Sequence, residues 1–318
     1  MITRGMGVSL PPNDTMGNLE KLKGKLIKIE ELGFEAVELS LHGMDVIRNG
    51  VIDRQRLEAY RSLLSSFSLS YTTHAPYSIN LFRKGDTSIE RASLIASLEV
   101  SGAIGAETMV YHVGRYIGEE EFLYPHTWLD YTKEYKQELL IEEQSFMRKL
   151  GQLGQQLNVR IAMENMRPYL DCPYYCYAVI PSSLVEQVEA INHPFVGITL
   201  DVGHLYLSHK MYGLDLLAEL KRMVPHVIHL HVHDNYGKAC FSAEKNQYEL
   251  APIGRGDMHM PLGDGEIPMG EIFRELPAQF NGYLIHEVRE RYESEWAGLR
   301  QRYETAIHDQ QKMHARRG

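Results

Sequence analysis

Nine side chains of metal-ligand type stand at or just beyond the ends of short apolar runs. They are His74 in THAPY, His112 in VYHVG, Glu164 in AMEN, Asp201 and His204 in LDVGH, one histidine of HLHVHDN, Asp257 and His259 in GDMH, and Glu287 in IHEV. Imidazole and carboxylate together suit zinc, manganese or iron. If one fold gathers these run ends, the set exceeds one ion and suffices for two or three. Glu164 closes the otherwise apolar VRIAME, where an unpaired carboxylate is costly to desolvate. His229, His231 and His233 alternate and so project to one face of a strand, leaving open which is the ligand. Asp201 and His204 form D-x-x-H across a turn that Gly203 eases, and His286 points away from Glu287 by alternation. Gly254, Gly256, Gly263 and Gly265 constrain the loop that carries Asp257 and His259, but no helix start follows to make it a nucleotide fingerprint.

Eight runs must position these groups: Met6 to Leu10, Ala36 to Leu41, Ser70 to His74, Thr108 to Val113, Val159 to Glu164, Gly197 to Asp201, Val227 to His233 and Tyr283 to Val288. Most are rich in Val, Ile and Leu without clean alternation, as strands buried on both faces read. Helical spacing fills the gaps: Leu19 to Ile29 before Gly33, a helix capped by Asp53, Ile89 to Ala103, a long charged helix from Trp128 to Leu157, Ser182 to Ile191, Leu214 to Val224, a short Met269 to Leu276, and Ser294 to His308. Strands alternating with helices over 318 residues predict an α/β fold, a single (β/α)8 TIM barrel domain spanning residues 1–318. A barrel rings one mouth with all its strand ends, whereas an open doubly wound sheet would string the ligands in a row. Gly114 to Pro125, Arg167 to Pro181 and Tyr236 to Arg255 read as enlarged loops at the C-terminal face.

The chain is 44% hydrophobic, with no long apolar run for a membrane span and no secretory h-region near its start. Cys172, Cys176 and Cys240 fit a reducing cytoplasm rather than a disulfide framework. A net charge of -9 argues against a broad non-specific grip on nucleic acid, although three divalent ions would add about six positive charges locally.

On these motifs the chain resembles the xylose isomerase-like TIM barrels, the superfamily of endonuclease IV and many sugar isomerases and epimerases. HAPYSINL, VYHVG, MEN, LDVGH, HVHDN and GDMHMPLGDG each resemble a strand-end motif of the endonuclease IV type. The resemblance selects His231 among the three histidines and implies a trinuclear zinc cluster. His74, His112 and Glu164 would hold one ion; Glu164, Asp201, His231 and Glu287 a second; His204, Asp257 and His259 a third. The chain departs from that type in the MRPYLDCPYYCYAVIP segment, in Gly203 before the histidine, and in its long Tyr236 to Gly256 loop.

Two activities follow from the resemblance. The first is metal-dependent phosphoester hydrolysis resembling a DNA-repair hydrolase, with an abasic site in DNA as substrate, Tyr77 and Asn80 contacting it, and Glu164 orienting the nucleophile. The second is isomerisation or epimerisation of a sugar or sugar phosphate at the single Glu164, Asp201, His231 and Glu287 site, the two glutamates moving a proton beside a carbonyl. His74, His112, His204, Asp257 and His259 exceed what one ion needs and tip the expectation toward the hydrolase. The tyrosines of the insertions (Tyr169, Tyr174, Tyr175, Tyr177, Tyr236, Tyr248) read either as a cover over a small sugar or as packed loop aromatics, and Lys238, Lys245 and Arg255 as facing substrate or solvent.

Overall fold

The computed structural model describes residues 3–15, 17–244 and 248–315, apart from the side chains of 14–15, 248 and 308–315. Lys245 and the side chain of Tyr248 lie outside the described residues. Eight strands close into a barrel: β1 (Gly5–Leu10), β2 (Ala36–Ser40), β3 (Ser70–His74), β4 (Ala106–His112), β5 (Arg160–Glu164), β6 (Val196–Asp201), β7 (Val227–Val232) and β8 (Tyr283–His286). Every neighbouring pair is parallel, and β8 closes on β1 with Ile285 opposite Gly7. All eight fall on the runs expected from sequence, and the fold is the (β/α)8 barrel.

The alternating faces of the strands divide the interior. Outward residues such as Val37, Leu39, Met109, Ile161, Ile198, Leu230 and Leu284 pack with Leu22, Leu26, Leu98, Leu184, Leu220 and Ile272 of the surrounding helices in one continuous core. Inside the barrel, Ala36, Tyr283 and Ile285 form a small apolar group near the strand starts. Above it the centre is polar, with Glu38, Thr72 and His229 all fully buried.

Local chemistry sets the helix starts. Asn18 accepts from the Lys21 N–H at the head of Leu19–Glu31, and Asp53 from the Arg56 N–H at the head of Arg54–Leu64. The long helix runs Lys133–Leu157 rather than from Trp128, because Thr132 caps it while a separate turn, Pro125–Thr127, precedes it. One helix, Val202–Tyr212, was not expected. It is buried from Val202 through Ser208, so it carries no polar face to give a periodic signal. Asp201 and His204 therefore do not span a loose turn. Asp201 is the helix N-cap, its Oδ1 accepting from the His204 N–H at 2.7 Å.

The three enlarged loops knit to one another over the barrel. Arg115 bridges to Cys176, and Tyr169 to Cys240. Tyr169, Tyr175 and Tyr177 are buried in this layer as packed loop aromatics, and Tyr174 is exposed. The three cysteines are free and buried. Among the described residues no helix is long and apolar enough to cross a membrane.

At Gly7 the two strands β1 and β2 come unusually close: a Cβ there would lie 2.2 Å from the Ala36 carbonyl oxygen. Gly7→Ala should therefore force the strands apart and cost about 1–3 kcal/mol, read as a lower urea midpoint. An unchanged midpoint would show that the barrel closes without this approach.

Candidate metal centre at the barrel mouth

Strand register places the ligand-type residues at one level. His112 stands beside Glu164, and Asp201 beside His231. Their side chains, with those from the loops after β7 and β8, converge in the order of the barrel. Ligand atoms within 4.8 Å of one another form three groups at the mouth, His74, His112, Glu164, then Glu164, Asp201, His231, Glu287, and then His204, His233, Asp257, His259, and a fourth deeper in the barrel, Glu38, His229, His231. All nine sequence-selected residues thus come together, with Glu164 common to two groups.

Glu164 is the hub. Its Oε2 lies 3.3 Å from His74 Nε2 and 3.1 Å from His112 Nε2, and its Oε1 lies 3.4 Å from His231 Nδ1. Burial alone would push this carboxyl up, but the surrounding imidazoles, His112 and His231 foremost, hold it well below the usual carboxylate range. Glu287 is brought down to about 2 in the same way, burial being outweighed by His231 and His259. Both glutamates are ionised at neutral pH.

The histidines are oriented from behind. A backbone carbonyl can only accept, so each nitrogen facing one carries the proton. His74 Nδ1 donates to the Ala75 carbonyl, His204 Nδ1 to that of Asn165, and His259 Nδ1 to that of Glu287, each at 2.8 Å. Their Nε2 atoms then face carboxylates: Glu164 for His74, and Asp257 for His204 and His259 at 3.0 and 2.8 Å. A lone pair facing a carboxylate oxygen at that distance is repulsive unless a proton or a cation lies between them. Divalent cations and outer-sphere carbonyls arrange histidines in this way. Around Glu164 the residues present therefore fit divalent metal ions, and buried His231 Nδ1, which faces Glu164 and Glu287 without a hydrogen bond, leaves a ligand atom unspent.

Several contributors were not singled out from sequence. Glu38, deep in the barrel, has its two carboxylate oxygens 2.9 Å from His229 Nε2 and His231 Nε2. It turns the Nδ1 of His231 to the mouth, 3.3 Å from Glu287 Oε2. His233 meets both oxygens of Asp201 at 3.0 and 3.1 Å and stacks on His259 at 4.1 Å between ring centroids. Arg289 binds the carbonyls of Asp257 and Met258 and so fixes the loop, in which His259 holds a left-handed φ of 46°. The alternation of His229, His231 and His233 was the only sequence signal for any of these.

Tyr77 lies at the mouth, stacked on His112 at 5.2 Å and edge-on to His74 at 4.6 Å. Asn80 does not line this cavity. It is buried, donating to the Arg115 carbonyl and accepting from the Phe82 and Arg115 N–H groups, which spends its amide on loop structure. Above the ligands opens a cavity of about 440 Å³ whose walls include Tyr77, Arg167, Glu119, Arg289 and Glu290.

The sequence matches a family model described as xylose isomerase-like TIM barrel over residues 26–310, and the chain belongs to that family. An uncharacterized protein of Methanocaldococcus jannaschii is 23% identical over 260 residues, 81% of this chain and 75% of that one. Among solved structures, a D-tagatose 3-epimerase-like protein superposes with a TM-score of 0.67 at 20% identity, covering 96% of this chain and 99% of the other. L-ribulose 3-epimerase gives 0.65 at 11% identity over 98% of each. The IOLI protein with a binding zinc atom gives 0.64 at 15% identity, over 96% and 97%. At these identities the likenesses establish the fold.

Two outcomes test the centre. Glu38→Gln should weaken zinc binding by about 10–100-fold, measured by competition with a chromogenic chelator; wild-type affinity would remove Glu38 from the support of His231. The second concerns protons. Burial would lower the affinity of His231 for its proton, but Glu38, Glu287 and Glu164 together raise it well above the ordinary value. The metal-free protein therefore holds a proton there at neutral pH that an incoming ion must expel, so affinity rises with pH. Calorimetric titration with zinc in buffers of different ionisation enthalpy should find proton release, and none would refute this protonation.

Proposed function

We propose that this member of the xylose isomerase-like family is a metal-dependent isomerase or epimerase of a small sugar or sugar phosphate, acting at Glu164, Asp201, His231 and Glu287. The observation that carries the reading is the placement of two ionised glutamates beside one imidazole nitrogen, 3.4 and 3.3 Å from His231 Nδ1. Both open onto a cavity at the small end of the range for small-molecule sites, about 300–1,000 Å³. The sugar epimerases among its structural neighbours support the same substrate class.

A divalent ion held by these four side chains, with zinc the choice favoured by the IOLI structure, would polarise the carbonyl and hydroxyl oxygens of the sugar and acidify the carbon beside them. One glutamate takes the proton from that carbon. The other, protonated from solvent before the step, returns that proton to the opposite face, which inverts the centre, and the first then gives its proton to solvent. Return to the adjoining carbon instead, with the proton of the first carbon's hydroxyl passing to the former carbonyl oxygen, shifts the carbonyl. Glu38 fixes the His231 ring, His233 fixes Asp201, and Tyr77 forms an apolar wall. This reading takes residues 1–318 as one barrel domain.

Phosphoester hydrolysis, the stronger expectation from sequence, gains no specific support from the comparisons. One observation favours it, the two further His/carboxylate groups beside the central one. The net charge of -9 opposes a broad grip on a polyanionic DNA substrate.

Incubation of the zinc-loaded protein with a panel of ketoses and ketose phosphates, beside an abasic-site oligonucleotide, tests the proposal. Sugar turnover is expected, falling about 10²–10⁴-fold in Glu287→Gln. Incision of the oligonucleotide with every sugar untouched would overturn it.

A further inference from the structure

The third side-chain group differs from the other two by containing a cation of the protein's own. Arg167 leaves β5 just beyond Glu164 and turns back into the mouth, with its side chain only 15% exposed. Its Nη1 lies 3.4 Å from Asp257 Oδ2 and 3.5 Å from His204 Nε2. These are the two atoms, 3.0 Å apart, that face each other where an ion between His204 and Asp257 would sit. The guanidinium is held there: Nε donates to the Tyr169 hydroxyl at 2.7 Å, and Tyr175 donates to the Arg167 carbonyl at 3.1 Å. Tyr169 and Tyr175 are themselves buried in the layer made by the knitted loops.

We infer that Arg167 replaces a third metal ion in this chain, so that at most two divalent ions bind. An ion ligated by both atoms at about 2.0–2.2 Å would stand within about 5.5 Å of a permanent positive charge, in a largely buried site where water screens it only in part. The N–H donors of Arg167 also address the same lone pairs. Asp257 and His204 therefore have their neutralising partner already, and the MRPYLDCPYYCYAVIP segment, one of the departures from the endonuclease IV type, is what supplies it. The inference rests on the metal reading of the Glu164, Asp201, His231 and Glu287 site and deepens it. Arg167 also lines the cavity, and with Nε and Nη1 engaged it is Nη2 that is left to donate to a sugar oxygen there.

Elemental analysis after saturation with zinc and desalting reads the count directly. Wild-type protein should retain no more than two ions per chain. Arg167→Met should retain one more, and Arg167→Lys, which keeps the charge, should match wild type. His204→Ala alone should leave the count unchanged, whereas in Arg167→Met it should abolish the gain. Circular dichroism confirms that each variant is folded; for a variant that does not fold, cobalt titration of the wild type, followed by its absorption bands, replaces it. Three ions in wild type by either measurement, or a count indifferent to Arg167→Met in folded protein, would overturn the inference. Absence of sugar turnover together with an Arg167-dependent count would instead reject the proposed activity and leave this inference standing.

Discussion

A carboxylate shut away from water at the end of an apolar strand is the constraint on which this molecule turns. Glu164 is 1% exposed and ionised, and an isolated charge so placed would cost far more than the fold could supply. It survives because three imidazoles reach it from β3, β4 and β7. Those imidazoles in turn are held by carbonyls and carboxylates behind them. Removing the hub would leave His74 and His112 facing each other without their shared carboxylate, so the barrel end and the centre are one electrostatic unit. This is also why the arrangement speaks for cations: protons alone balance it only by charging histidines that burial disfavours.

The support runs downward as well as across. Most barrels of this kind fill their interior with branched apolar side chains. Here Glu38, His229 and Thr72 occupy the middle, and Thr72 donates to the same carboxylate oxygen that His229 faces. Such a buried pair adds little net stability compared with an apolar filling. Its return is geometric: Glu38 spans His229 and His231 and so sets the tautomer of the one histidine that belongs to the central site.

Much of this was legible in the sequence because the β/α barrel converts order along the chain into position around a ring. Strand-end residues such as His74, His112 and Glu287 needed only a correct strand assignment to be brought together. Glu38 escaped notice because AVELS looks like any half-polar strand and its partners lie on β7, far away in sequence. Arg167 escaped because a loop residue has no periodicity to place it; only the fold of the insertion, through Tyr169 and Tyr175, turns it inward. The Val202–Tyr212 helix was missed for a third reason, since a helix buried on nearly all sides has no amphipathic pattern. Asn80 shows the converse failure. The motif around it is of the expected kind, yet its amide serves the loop that follows β3.

Gly203 and His233 were read separately, and space joins them. A Cβ on Gly203 would fall 2.0 Å from the Cε1 of His233, so no larger residue can stand before His204 while that ring keeps its place. The ring fills the vacated volume and holds both oxygens of Asp201. Asp201 must meanwhile cap the Val202–Tyr212 helix with Oδ1 and face His231 with Oδ2, 3.9 Å from its Nδ1. A carboxylate asked to serve a helix end and a cation site at once needs its plane fixed, and a single hydrogen bond leaves it free to rotate. His233 supplies the second constraint. The departure at Gly203 and the third alternating histidine, one residue past β7, are thus two halves of one packing solution, and it is this solution that aims Asp201 at the centre.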